Sequence, residues 1–282
     1  MSTVAPSRAP GPAAERPDRP VHRVTGARVL RSEWAKMWSL RSTWITSGLG
    51  LLFLIAFGLI AAYQFRSRIT SGRPMDRDFA DATALGLSLF GTNFAQLALG
   101  VLGVLVAAGE YSTGMIRSTL AAVPRRLPVL WSKAAAYGAV ALLLGTFGVF
   151  VAFLADSRIL ASTRAAMTLS DAGVLRSLLG AGLYLGLVGV IGVALGALLR
   201  SVAGGISVLV ASLMLVPGLV SLLPSSWQDT ISPYLPSHAG EAMFALQHDA
   251  SALSPSAGLL VFVLWTVAVL AGAAVRLMRS DA

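Results

Sequence analysis

The chain of 282 residues has no cysteine, only two lysines (Lys36 and Lys133) and three histidines. Without thiols there are no disulfide frameworks, thiolate zinc sites or Cys nucleophiles. Neither lysine lies in a glycine-rich setting and there is no G-x-x-x-x-G-K-[ST], so the chain cannot be its own P-loop ATPase. H-E-x-x-H is also missing. His22 belongs to an N-terminal tail, and His238 and His248, near Glu241 and Asp249, read as solvated side chains rather than metal ligands. No histidine or lysine lies deep enough in an apolar segment to activate a serine, which argues against intramembrane hydrolysis. No catalytic residue, cofactor or metal is expected.

Charge is the other scarcity. Only 12% of residues are charged and 55% are hydrophobic, with mean hydropathy +0.73. Soluble domains carry about 25% charge, so this chain has too few charges to solvate a globular surface. The apolar residues cluster into six uncharged windows, 42–65, 82–109, 134–155, 177–199, 201–228 and 250–275. Each reaches the ~20 residues that a helix needs to cross hydrocarbon. The fold class expected is therefore an all-α polytopic membrane protein with six transmembrane helices, at about 44–65, 84–108, 134–155, 177–199, 202–223 and 256–275. The first apolar run begins only near Trp44 and no small-residue cleavage site follows it, so it reads as an anchor and not as a signal peptide.

The basic residues set the orientation. With the N-terminus inside, the cytoplasmic segments hold 15 of the 22 lysines and arginines but 5 of the 13 acids. An inside excess of Lys and Arg favours N-in, C-in. The net charge of +9 is thereby explained without nucleic acid. The first outer loop, with Arg66, Arg68, Arg73 and Arg77, runs against the pattern.

Residues 1–22 are rich in Pro and Arg and lack apolar periodicity, as in a disordered tail. Residues 23–43 read as an amphipathic interfacial helix. At helical spacing Ala27, Leu30, Trp34, Met37 and Trp38 share one face, and Arg28, Arg31, Ser32, Lys36, Ser39 and Ser42 the other. Residues 44–279 form the spanning domain. In span two, Asn93 and Gln96 either line a path or bond neighbouring helices. The cytoplasmic stretch 109–133 predicts a short helix capped by Ser112, running to about Ala122 and ended by Pro124. Glu110, a lone carboxylate at a span's end, requires a cationic or backbone N–H partner. Gly182, Gly186, Gly189, Gly192 and Gly196 put a packing seam on span four, with its partner open between this chain and a second subunit. Pro217 predicts a kink in span five, and 224–255 an outer segment with a short helical re-entrant cap.

Three stretches, RSEWAKMWSLRSTW at 31–44, GEYSTGMIRSTLAAVPRR at 109–126 and GVALGALLRSVAGGISVLV with the later YLPSHAG, resemble the permease subunit of type-2 ABC exporters, the ABC-2 family. The likeness covers about residues 28–279. It implies an N-terminal connecting helix, a cytoplasmic coupling helix and a cell-membrane location. It also implies a pair of like or unlike permease subunits and separate cytoplasmic ABC ATPase subunits that drive export by alternating access. Glu110, Tyr111, Gly114, Ile116 and Arg117 would fall in the region that meets the ATPase. A self-sufficient carrier or channel would instead call for charged groups within spans or internal repeats, and a membrane enzyme or assembly factor for other constellations.

Overall fold

The computed structural model describes residues 25–39, 41–72, 81–123, 126–246 and 252–279. Among them every regular element is helical. Long apolar segments leave the backbone no partner but itself, and the helix satisfies its own N–H and C=O groups. Six helices are long and apolar enough to cross a membrane, and the chain is membrane-embedded.

In chain order, α1 is Gly26–Ser39 and α2 is Arg41–Ser71. The next span consists of α3, Ala84–Leu89, and α4, Thr92–Ser112. A short α5, Met115–Ala122, leads to α6, Arg126–Ile159, and then α7, Val174–Leu199. The fifth span is α8, Val202–Val210, a π turn at Ala211–Leu215 and α9, Val216–Val220. Two short helices, α10 (Ser225–Ile231) and α11 (Pro236–Ala242), precede the last span, α12, Pro255–Arg279. Several helices outrun the apolar windows. Thus α6 starts at Arg126 and continues to Ile159, because helical hydrogen bonding does not stop where hydrocarbon does. The tail at 1–22 lies outside the described residues.

α1, α5 and the C-terminal end of α12 gather at one end of the bundle, here the near end. The far end carries the 160–173 connection, α10 and α11. Near-end closure includes Arg126 Nη1, which donates to the Leu277 carbonyl at 3.2 Å. At the far end Arg176 Nη2 donates to the Ala245 carbonyl at 2.7 Å, and Trp265 Nε1 to that of Tyr234 at 3.0 Å.

The centre of the bundle is α7, the most buried of the six spans. Its glycine seam divides between two neighbours of its own chain. A Cβ at Gly186 would stand 2.9 Å from Leu142 Cβ, and one at Gly189 2.8 Å from Ala141 Cβ, while Gly182 abuts Thr146; all three contacts are on α6. On α4, a Cβ at Gly196 would stand 2.6 Å from the Val104 carbonyl oxygen, and one at Gly192 would collide with that of Gly100. Backbone approach of this kind compensates for the missing hydrophobic drive between helices in lipid.

Two spans are irregular. Between α3 and α4 the ladder breaks: Phe90 N–H turns back to Leu87 O at 3.2 Å, and Asn93 N–H to Phe90 O at 3.3 Å. Gly91 sits there against the Leu54 carbonyl, where any side chain would collide. In the fifth span the π turn lies just before Pro217. A proline has no N–H to give and its ring crowds the preceding turn, so the ladder is displaced into the widened turn instead of ending.

Candidate functional site

The near end holds four buried or half-buried charges that close a ring. Lys133 Nζ on α6 bridges Glu33 Oε2 of α1 at 2.6 Å and Glu110 Oε1 of α4 at 2.8 Å. Lys36 Nζ on α1 bridges Glu33 Oε1 at 2.7 Å and Glu110 Oε1 at 3.1 Å. It also reaches Thr119 Oγ1 of α5 at 3.4 Å. Glu33, Glu110 and Lys133 are 2%, 4% and 6% exposed, so water contributes almost nothing to solvating them. Both lysines of the chain are used here. Two carboxylates against two ammoniums leave the ring neutral, and four helices meet on it.

Burial by itself pushes the Glu33 carboxyl up. The ammonium groups of Lys133 and then Lys36 outweigh it, and Glu33 is held below the usual carboxylate value. Lys36 is the mirror case: burial pulls it down, but Glu33 and Glu110 hold its ammonium above the usual lysine value. One oxygen, Glu110 Oε2, has no hydrogen-bond partner.

The face α1 presents to the protein differs from the apolar face expected from spacing. Val29, Glu33 and Met37 are buried, while Leu30, Trp34 and Trp38 are exposed. Spacing identified an apolar stripe, but α1 has three faces: one packs on α6, one is apolar and open, and one is basic. Trp34, Trp38 and Trp44 form an aromatic run, with centroids 5.7 Å and 4.4 Å apart. Trp44 Nε1 donates to the Trp38 carbonyl at 3.1 Å, fixing the turn from α1 into α2.

Between the ring and the surface lies α5. Its start is set by Gly114 in the left-handed region, φ 74°, and not by Ser112, whose hydroxyl donates back to the Gly109 carbonyl at 3.0 Å. Its end is the extended Val123; Pro124 and Arg125 lie outside the described residues. Arg126 opens α6.

No known protein family matches this chain, and no curated protein matches it.

The five residues expected in the coupling region take different positions. Glu110 belongs to the ring. Ile116 is buried beside Leu130, Ala197 and Leu277. Gly114 is the hinge. Tyr111 is half-buried, with the Arg200 guanidinium 5.2 Å from its ring centroid. Arg117 is exposed, as are Met115 and Ser118. The two other candidates separate as well. Gln96 is buried and its Oε1 accepts from the Tyr184 hydroxyl of α7, a tie between helices. Asn93 is exposed and borders a far-end cavity of about 490 Å³, together with Asp81, Thr83, Phe90, Glu241 and Phe244.

Glu33, Lys36 and Lys133 were missed as site residues. A usable signal existed: Glu33 is the one acid in the 25–43 stretch, and the chain's two lysines precede the first and third apolar windows. No group of metal-ligating side chains occurs among the described residues. His238 Nδ1 is engaged at 2.9 Å with the Ser232 hydroxyl and carbonyl, while His248 and Asp249 lie outside the described residues.

Proposed function

We propose that the chain is the membrane-spanning permease subunit of an ATP-driven exporter of the ABC-2 type, N-in and C-in, with the near end cytoplasmic. The observation that carries this reading is α5, a short helix on a left-handed glycine hinge, backed by a buried ring of charges that joins it to α1, α4 and α6. Such a helix is a lever. Its exposed Met115, Arg117 and Ser118 are free for a separate ATPase chain, while Ile116 and Thr119 face inward to the bundle. Force applied to it reaches two spans and the interfacial helix at once, because the ring leaves them no independent motion. A second permease, like or unlike, completes the path, and the glycine seam is excluded as its docking face because α4 and α6 already fill it.

The test is recovery of the intact chain from native membranes with a Walker A-bearing ATPase, followed by vesicle transport. Export that needs that ATPase and nucleotide is the expected result, and solute movement by the isolated chain without nucleotide would overturn the proposal. One observation favours a self-sufficient, proton-driven carrier instead: Asp156, one residue past the uncharged window 134–155, is buried inside α6.

A further inference from the structure

Asp156 lies within the last turn of α6, three residues from its end. Its side chain is fully buried, and neither carboxylate oxygen has a hydrogen-bond partner. α2 comes against it through Gly58. A methyl group there would stand 3.3 Å from Asp156 Oδ2 and 3.0 Å from the Ser88 carbonyl oxygen. The carboxyl and that carbonyl therefore border one small space, kept open by the missing side chain. Ser88 belongs to α3 just before the break at Phe90–Gly91, where the ladder no longer supplies regular donors to the preceding carbonyls.

Among the described residues no charged side chain hydrogen-bonds Asp156. α3 has no ionisable side chain. Arg66 of α2 donates to the Ile159 carbonyl at 3.3 Å, and Arg158 of α6 is exposed. Arg176 of α7 donates to Met243 and Ala245, and Arg164 of the following connection hydrogen-bonds neither Asp156 oxygen. Ionised, this carboxyl would be an uncompensated buried charge. A hard metal cation takes about six oxygens, and this space offers a carboxylate and one carbonyl. A proton needs one acceptor.

We propose that Asp156 is a proton-binding site. Loaded, its neutral carboxyl donates to the Ser88 carbonyl and ties α6 to α3 across Gly58. Release of the proton leaves a bare carboxylate that loosens this far-end packing. The proposal does not rest on the ATPase reading, and its test assumes neither transport mechanism.

The full chain, reconstituted in nanodiscs and labelled with ¹³C-aspartate, is compared in neutral and alkaline buffer by infrared difference spectroscopy. A protonated-carboxyl band present at neutral pH, bleached by alkali and lost in Asp156→Asn, is expected. Wild-type thermal stability falls as pH rises through the same range, and that of Asp156→Asn does not. Absence of the band at neutral pH, its survival in Asp156→Asn, or its loss on adding sodium at constant pH would overturn the proposal, the last by indicating a metal cation. Should Asp156→Asn fail to fold, Gly58→Ala decides: its methyl enters the shared space, so the band shifts, and an unshifted band refutes the geometry.

Discussion

Glu110 and Asp156 are both carboxylates buried in the spanning bundle, one at each end, and their surroundings are opposite. Glu110 meets two ammonium groups within 3.1 Å, whereas among the described residues Asp156 has no hydrogen-bond partner. A buried carboxylate has two ways to exist, by finding a counter-charge or by losing its own. The near end uses the first and becomes a rigid joint between helices. The far end uses the second, and its packing then depends on a proton.

The comparison is broken most forcefully by Lys133→Ala. Removing one partner strands the carboxylates, and a loss of about 3–5 kcal/mol is expected, read as a lowered thermal midpoint in nanodiscs together with release of α1 to proteolysis. An unchanged midpoint would mean that water reaches the ring. Glu33→Leu with Lys133→Met sharpens the point. The pair removes one charge of each sign and should cost less than Lys133→Ala alone, since a buried ion pair is often replaceable by well-packed apolar groups.

Next in size is Gly114→Pro. The φ of 74° is closed to proline, whose ring holds φ near −65°, and a strain of about 1–3 kcal/mol is expected at the hinge. The chain should still insert, and ATP-driven export should fail. Full export by this variant would remove α5 from the coupling role. Gln96→Leu strands the Tyr184 hydroxyl in the interior and should cost about 1–3 kcal/mol; a larger effect on transport than on unfolding would instead favour a pathway role.

The gentlest test is pH. Glu33 is held low, so the ring's stability is present above the ordinary carboxylate range and is lost as pH falls through the lowered Glu33 value. Lys36 is held high, so its share is present below the ordinary lysine range and is lost as pH rises through the raised value. Emission from Trp34 and Trp38, with the other tryptophans replaced by Phe, should stay flat between these limits and change outside them. A transition near neutral pH would show that the ring is not closed in solution.

The six long apolar helices were legible in the sequence because they rest on a local rule. Apolar windows long enough to span leave the backbone only the helix, and no long-range contact is needed to see it. The need of Glu110 for a partner, cationic or backbone N–H, was legible for a similar reason, as a charge at the end of an apolar segment. Which cations answer it was not, since Lys133 lies 23 residues from Glu110 and 100 from Glu33, and only the packing of α1 on α6 brings them together. The face of α1 misled because helical spacing separates apolar from polar but cannot tell lipid from protein, and Trp34 and Leu30 suit either. Asp156 misled because a charge beside an apolar run ordinarily marks its end, and only the contacts of α2, α3 and α6 enclose it. The sequence by itself determined six apolar helical segments long enough to span, a glycine stripe on span four and a short helix after span two. Tertiary structure decided that the stripe is filled by α4 and α6 and that this short helix rests on a charge ring. It also buried the Asp156 carboxyl without a hydrogen-bond partner, because pairing and burial depend on which helices become neighbours.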